Sequence, residues 1–273
     1  IIAGTYAKHS NLGGQIILFS KNSSTPLWTY SALKYVKAVD ISGDGKYIVA
    51  GRDAHDGQGE IFFFENNDST PLWTYNTEGG VSSISISSDG QYIVAGTDDQ
   101  GGDIYFFNSS NASPLWHYEI TEEPEGSGGI TSTSISSDGA YMVAGSDGNS
   151  DSIFLFGRES NVSIWTYECG ELVTSVSISS NGDFIAAACD ILFFFNKNYE
   201  TPLWSYDVVA NNIDDVVISA DGEYILAVTS DWNTLLFHRS SSNPIWDYYL
   251  YNSNTISLDI SDDGSYFSVG VYH

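Results

Sequence analysis

Basic residues are scarce in this chain: nine Lys and Arg stand against 35 Asp and Glu, for a net charge of −26. So acidic a surface repels phosphate backbones and anionic headgroups, which argues against nucleic acid and anionic membrane as partners. Long apolar runs are missing as well. The longest stretch, Phe184 to Phe195, is broken by Cys189-Asp190 and stays short of bilayer-spanning length. No helical periodicity runs through any segment. Catalytic signatures are lacking: the five His (His9, His55, His117, His238 and His273) are scattered, with no His-Glu-x-x-His and no nucleophile motif. The chain opens on Ile without an initiator Met, so the expectation is a processed or excised piece whose signal peptide or anchor lies outside it.

What the chain does have is a repeat. Trp-x-Tyr occurs six times, at Trp28, Trp73, Trp116, Trp165, Trp204 and Trp246, spaced 39 to 49 residues apart. A period in that range marks a repeat architecture, with one supersecondary unit per period. Three further pieces recur in each unit. In one unit they read Ser83-Ile84-Ser85-Ile86, then Tyr92-Ile93-Val94-Ala95-Gly96, then Ile104-Tyr105-Phe106-Phe107 ahead of Pro114-Leu115-Trp116-His117-Tyr118. All are short and rich in β-branched or aromatic residues, and Gly, Asp, Asn and Ser separate them, which is the pattern of strands and hairpin turns. Four strands per unit of this length predict a β-propeller blade.

Residue size assigns the strands within a blade. The Ile/Ser alternation of the first piece suits the crowded inner strand. Runs such as Ile61-Phe62-Phe63-Phe64 are apolar on both faces and suit a strand packed between neighbouring blades. The fourth piece begins with Pro in five of six units, and Pro is confined to edges and strand starts, so this is the outermost strand.

The run Ser-x-Asp-Gly-x-Tyr-Ile-Val-Ala-Gly, as at Ser88 to Gly96, followed by Phe-Phe and Pro-Leu-Trp-x-Tyr, resembles the repeats of archaeal and bacterial extracellular propellers. These are grouped with the pyrroloquinoline-quinone-like and tryptophan-aspartate-repeat-like propellers. The resemblance covers the whole chain and implies an all-β fold of four-stranded antiparallel blades in one domain, 1–273. It says little about function, because propellers host binding modules, scaffolds and enzymes alike.

Counting the pieces gives 25 strands, one more than six blades need and three fewer than seven. Six blades are favoured, with the ring closed by the C-terminal strand Ile256 to Ile260 against the N-terminal part. The alternative is a seven-bladed ring cut short at both ends. A surplus strand at a terminus either pairs with a neighbouring subunit or hangs as an appended tail.

Propeller topology sorts the loops by face. One face carries the Asp-Gly and Asn-Gly turns from Asp44-Gly45 to Asp263-Gly264, which are hairpin chemistry. It also carries five Asn-x-Ser sequons, at Asn22, Asn67, Asn108, Asn111 and Asn161, all in three-to-four turns. They read either as glycosylation sites of an exported protein or as solvated turns. The opposite face is acidic, with Asp53, Asp56 and Glu60, with Asp98, Asp99 and Asp103, with Asp147 and Asp151, and with Glu119, Glu122, Glu123 and Glu125. Close carboxylates in Gly-containing loops suit a hard cation such as Ca²⁺, and the candidate ligands are Asp98, Asp99, Asp103, Asp147, Asn149 and Asp151. A hydrated acidic surface is the preferred alternative.

Cys169, in the connection entering the fifth unit, and Cys189, at the end of that unit's second strand, fall at the same end of one blade. A disulfide between them is favoured over two free thiols and implies an oxidising compartment. The Trp-x-Tyr residues read as blade-to-blade packing and not as a sugar-binding array. Aromatics outside the repeat carry more functional weight: Trp232 and the cluster Tyr248, Tyr249 and Tyr251 are candidate contacts for a protein or glycan partner.

Two functions follow. The first is a non-catalytic extracellular propeller, a surface-layer, adhesion or filament subunit that meets protein or glycan partners and needs no cofactor beyond a possible Ca²⁺. The second is a cofactor- or metal-dependent enzyme of the quinoprotein-like type, against which the few and dispersed basic residues count.

Overall fold

The computed structural model describes residues 1–5, 13–53, 57–98, 102–120, 128–148, 151–208, 212–250 and 254–272. They form 25 strands in seven antiparallel sheets, with no helix among the described residues. Sheet 1 holds β1 (Ile2–Gly4), β2 (Gln15–Phe19) and β3 (Pro26–Ser31). Sheet 2 holds β4 (Val36–Ile41), β5 (Tyr47–Arg52), β6 (Gly59–Glu65) and β7 (Trp73–Thr77), and sheet 3 holds β8 (Val81–Ile86), β9 (Tyr92–Thr97), β10 (Asp103–Asn108) and β11 (Pro114–Glu119). Sheet 4 comprises β12 (Ile130–Ile135), β13 (Tyr141–Ser146), β14 (Ser152–Gly157) and β15 (Ser163–Glu168). Sheet 5 comprises β16 (Ser175–Ile178), β17 (Phe184–Ala188), β18 (Ile191–Asn196) and β19 (Trp204–Asp207). Sheet 6 comprises β20 (Ile213–Ile218), β21 (Tyr224–Thr229), β22 (Asn233–His238) and β23 (Trp246–Tyr249), and sheet 7 only β24 (Asn254–Ile260) and β25 (Phe267–Tyr272).

The chain divides into two compact units, Ile1–Thr133 and Ser134–His273, and the boundary falls inside β12. In every complete sheet the strands lie in chain order, so the Ile/Ser piece is at one edge and the Trp-x-Tyr piece at the other. Closure was expected to bring the strand ending at Ile260 into the first sheet. It pairs instead with β25, its neighbour through the Asp263-Gly264 turn, because a hairpin partner a few residues away costs little loop entropy. Sheet 1 has no counterpart of the Ile/Ser strand and sheet 7 none of the third and fourth strands among the described residues.

Each Ser-x-Asp-Gly turn is wired in the same way. Ser42 Oγ donates to Asp44 Oδ1 at 2.7 Å and accepts from the Tyr47 amide at 3.0 Å, while Asp44 Oδ1 also accepts from the Lys46 amide at 2.9 Å. The glycine that follows has φ near +70°, which a side chain would strain: +71° at Gly45 and +70° at Gly90. The Ser87, Ser136, Ser179, Ser219 and Ser261 turns repeat these bonds.

The serines and threonines of the first strands do more than save space. They bond the first strand of the next sheet. In the first unit, Ser83 Oγ accepts from the Thr133 amide at 2.9 Å and Ser85 Oγ donates to the Thr133 carbonyl at 2.9 Å. In the second, Ser134 and Ser177 accept from the amides of Ile178 and Ile218, and Thr174 Oγ1 donates to the Ile213 carbonyl at 2.6 Å. Two aspartates take over this duty. Asp40 accepts from the Ile86 amide and Asp215 from the Leu258 amide. An amide turned toward a neighbouring sheet has no ladder partner, so a side-chain acceptor keeps it satisfied.

The third strands form the core: Ile61, Phe62, Phe63 and Phe64 are at most 2% exposed, as are Phe106, Phe107, Phe194 and Phe195. Full burial of each such side chain contributes about 1.5–3 kcal/mol. The outer Trp and Tyr clamp the third strand of the following sheet. Trp73 stacks on Phe63 of its own sheet at 5.1 Å and packs at a tilt against Phe107 of the next at 5.6 Å, and its Nε1 donates to the Ser109 carbonyl at 2.8 Å. Trp28, Trp165 and Trp204 repeat the bond, to the carbonyls of Asn66, Lys197 and Arg239, each the residue that follows a third strand. The repeat is therefore a packing device, which leaves its exceptions as the places to look for function.

Candidate functional site

Among the described residues no group of three or more His, Cys, Asp or Glu is placed to hold a metal ion. The acidic loops are partly neutralised from within. Lys37 bridges Asp98 and Asp53, the latter at 3.2 Å. Asp103 bonds His117 Nε2 at 2.8 Å and accepts from the Tyr105 hydroxyl at 3.1 Å, and burial with the Asp103 charge pushes that phenol well above its usual range. Arg52 pairs with Glu60 at 3.4 Å. Asp151 has φ of +31°, and burial, with the Asp147 charge adding to it, raises its carboxyl above the usual range. Asp99 and Asn149 lie outside the described residues, as do His55, Asp56, Glu122, Glu123 and Glu125.

Cys169 and Cys189 are joined by a disulfide, with Cα atoms 6.8 Å apart. Cys169 follows β15 and Cys189 follows β17, so the bond ties the connection entering sheet 5 to that sheet's second strand. Cys189 is buried in a cluster with Val173, Val176 and Ile185. The sequon residues Asn22, Asn67, Asn111 and Asn161 are exposed in three-to-four turns. Asn108, at the end of β10, is half-buried and accepts from the Ser110 amide at 3.0 Å.

Two aromatic residues outside the repeat, Trp232 and Tyr249, come together at sheet 6. Trp232, in the turn between β21 and β22 with φ of +73°, lies 6.1 Å from Tyr249 between ring centres. The Trp232 carbonyl accepts from the Leu250 amide at 2.8 Å, which holds the end of β23 beside that turn. Tyr248 is 64% exposed and Tyr249 39%. Tyr251 lies outside the described residues.

Tyr248 also opens onto an apolar groove of about 530 Å³, lined by Thr234, Trp246, Asp247, Tyr248, Leu250, Phe267 and Val269. Sequence reading names Tyr248 but misses the rest. Trp246 belongs to the repeat and looks like its five equivalents, and Phe267 aligns with buried Ile93 of β9. One signal was available: Thr234 stands where Ile61, Ile104, Ile153 and Leu192 face the corresponding Tyr in other sheets. A polar residue at an otherwise apolar repeat position marks a surface the repeat does not cover.

With these sheets in view, comparison with protein families is decisive for the fold. The model of the family described as outer membrane protein assembly factor BamB, built on pyrroloquinoline-quinone-like repeats, matches residues 4–248. The chain belongs to this family. Its sheets are accordingly the blades of a β-propeller of the BamB kind. The match ends at Tyr248, so β24, β25 and the Phe267 wall of the groove lie beyond it. Comparison with curated proteins gave no match.

Proposed function

We propose that this chain is a non-catalytic interaction module, exposed outside the cell, that meets protein partners through the aromatic end of sheet 6. The observation that carries the reading is the exposure of Tyr248 over an apolar groove and of Tyr249 beside Trp232. Aromatic rings supply contact area at little entropic cost and dominate protein interfaces. The assembly-factor description of the BamB family supports protein partners as the class. The disulfide supports an oxidising compartment, and the exposed sequons fit a glycan-bearing surface. A surface-layer, adhesion or filament subunit would use these features, and none requires a bound cofactor.

The test uses intact native cells and a membrane-impermeant amine-reactive cross-linker. The wild-type chain should be cross-linked to specific proteins, and the double variant Tyr248→Ser/Tyr249→Ser should lose at least about tenfold of that yield, the effect of removing about 1.4 kcal/mol of contact. Cross-linking only after lysis contradicts the extracellular placement. An unchanged yield in the double variant contradicts the site.

A further inference from the structure

Sheets 5 and 6 meet with one aromatic ring fewer than other neighbouring sheets do. Tyr30, Tyr75 and Tyr167 each pack on two rings of the following sheet's third strand, Phe62 and Phe64, Tyr105 and Phe107, and Phe193 and Phe195, with ring centres between 5.1 and 5.5 Å apart. Their equivalent Tyr206 meets Phe237 at 5.1 Å, and Leu235 stands in the place of the other ring. Strand register fixes the equivalence: Leu235 lies opposite Asp247 as Phe62, Tyr105 and Phe193 lie opposite Thr74, His117 and Ser205. The smaller side chain leaves a cavity of about 310 Å³ against Tyr206, and Asp231, Asn233 and Asp247 form its polar wall. At the corresponding place in sheet 3 the His117 ring stacks on Tyr105 at 4.6 Å and bonds Asp103, the residue equivalent to Asn233. No basic residue lines the sheet 6 cavity. Partly buried acids elsewhere have a cation at hand, Lys37 for Asp53, Arg52 for Glu60 and Arg239 for Glu223. Asp231 takes the neutral Thr229 hydroxyl and the Asn233 amide, and Asp247 has no ion pair among the described residues.

We propose that this cavity receives the guanidinium of an arginine from a partner protein. The planar group takes the place on Tyr206 that a ring fills in the other sheets, where the attraction of a cation for an aromatic face adds to the stacking. Its forked N–H groups reach the Asp247 and Asp231 carboxylates, and charge-assisted bonds of this kind are the strong ones. An ammonium fits less well, because it neither fills a flat space nor bonds in a fork. An uncharged planar group leaves both acids without a counter-charge. The cavity adjoins the aromatic end of sheet 6: Asp231 and Asn233 flank Trp232 in the chain, and Asn233 pairs with Tyr249. One partner segment can therefore engage both, with arginine and aromatic side chains at the centre as in other protein interfaces. A net charge of −26 draws a basic segment toward it.

This inference deepens the interaction reading and rests on it for the class of partner. The probe is N-acetyl-arginine amide, titrated into the full chain while the Leu235 methyl and Asn233 side-chain amide signals are followed by nuclear magnetic resonance. Saturable shifts of both are expected. The citrulline counterpart, of the same shape without the charge, should bind at least about tenfold more weakly, and the lysine counterpart several-fold more weakly. L235F puts back the ring that other sheets use, so the chain should fold and lose at least about tenfold in affinity for the arginine probe, followed at Asn233. D247N should lose a similar factor. Absence of a saturable shift, equal affinity for the citrulline or lysine counterpart, or an affinity unchanged in L235F or D247N overturns the proposal. Tighter binding of a methyl glycoside assigns the cavity to a glycan and overturns it as well. The arginine and citrulline comparison uses the wild-type chain, so it holds even where a variant fails to fold. Failure of the arginine probe with retained Tyr248-dependent cross-linking removes the arginine pocket alone; the reverse result removes the native-partner reading alone.

Discussion

Reducing the Cys169–Cys189 disulfide is expected to cost the second unit about 3 kcal/mol, the chain-entropy value for a closed loop of roughly 20 residues. Against the 5–15 kcal/mol that holds a typical domain, this is a large share. The mechanism is local. Cys189 lies in the cluster that contains Val173, Val176 and Phe195, and Cys169 packs against it. Opening the bond releases the connection into sheet 5, whose main-chain anchors nearby are the Cys169 amide on the Asp151 carbonyl and the Thr174 amide on the Ala188 carbonyl. Urea unfolding followed by near-ultraviolet circular dichroism should show the midpoint falling by roughly 1–3 M with reductant, given a slope of about 1–3 kcal/mol/M. The Cys169→Ala/Cys189→Ala variant should show the lower midpoint under both conditions. A wild-type midpoint indifferent to reductant would sink this assignment.

Asp40 carries the second large effect, and its sign is opposite to the usual one for a carboxylate. Removal from water dominates and outweighs the amide bonds from Ile86 and Ile41, so its pKa is raised to about 6 from the ordinary 3.8. The folded state therefore binds this proton more tightly than the unfolded chain does. Its stabilising contribution is fully present below about pH 4 and is lost as pH rises through about 6. Two pH units correspond to at most about 3 kcal/mol, less where solvent reaches the group. Asp215 and Asp214 are shifted in the same direction, chiefly by burial. Asp44, Asp138 and Asp263, held by turn hydrogen bonds, are shifted down and lose their contribution only under stronger acid. Stability is thus expected to rise from pH 7 toward pH 4–5 before it falls. Relief of repulsion among 35 acidic residues contributes to the same rise, so a variant is needed to separate the two. Asp40→Ser supplies it, because Ser134 and Ser177 already accept the equivalent amide in other sheets. The variant should be more stable than wild type at pH 7 by about 1–2 kcal/mol and equal or less stable at pH 4, as measured by urea titration. A constant difference across that range contradicts the raised pKa.

The architecture is legible in the sequence because each strand class has its own chemistry. Alternating Ile/Ser, the apolar Phe runs and the Pro-led Trp-x-Tyr each meet one environment six times over, and the structure places them in the predicted order. The expected pairing of the C-terminal strand failed for an identifiable reason. A repeat pattern says which strand type a segment is but not which of two edges it joins, and the Asp263-Gly264 hairpin takes β24 into sheet 7. Asp40 and Asp215 are less legible than the loop acids, since their one signal is an acid in a first strand at a position where neighbouring sheets use Ser. The groove was least legible of all, since Trp246 and Phe267 are ordinary repeat residues, and only Phe267 is more exposed than its equivalents, there being no third strand beside it among the described residues. Tyr249 is visible as an addition to the pattern, and its neighbour Tyr248, the repeat's own Tyr, borders that groove.

The measurement closest to the central claim is site-specific photo-cross-linking in the native cell, with a photoreactive phenylalanine analogue at Tyr248 and, as control, at Tyr199, which is 60% exposed at a three-to-four turn of the same unit. The aromatic end as the partner surface predicts discrete protein adducts from position 248, several-fold above position 199. Equal yields from the two positions, or no protein adduct at 248, would contradict it.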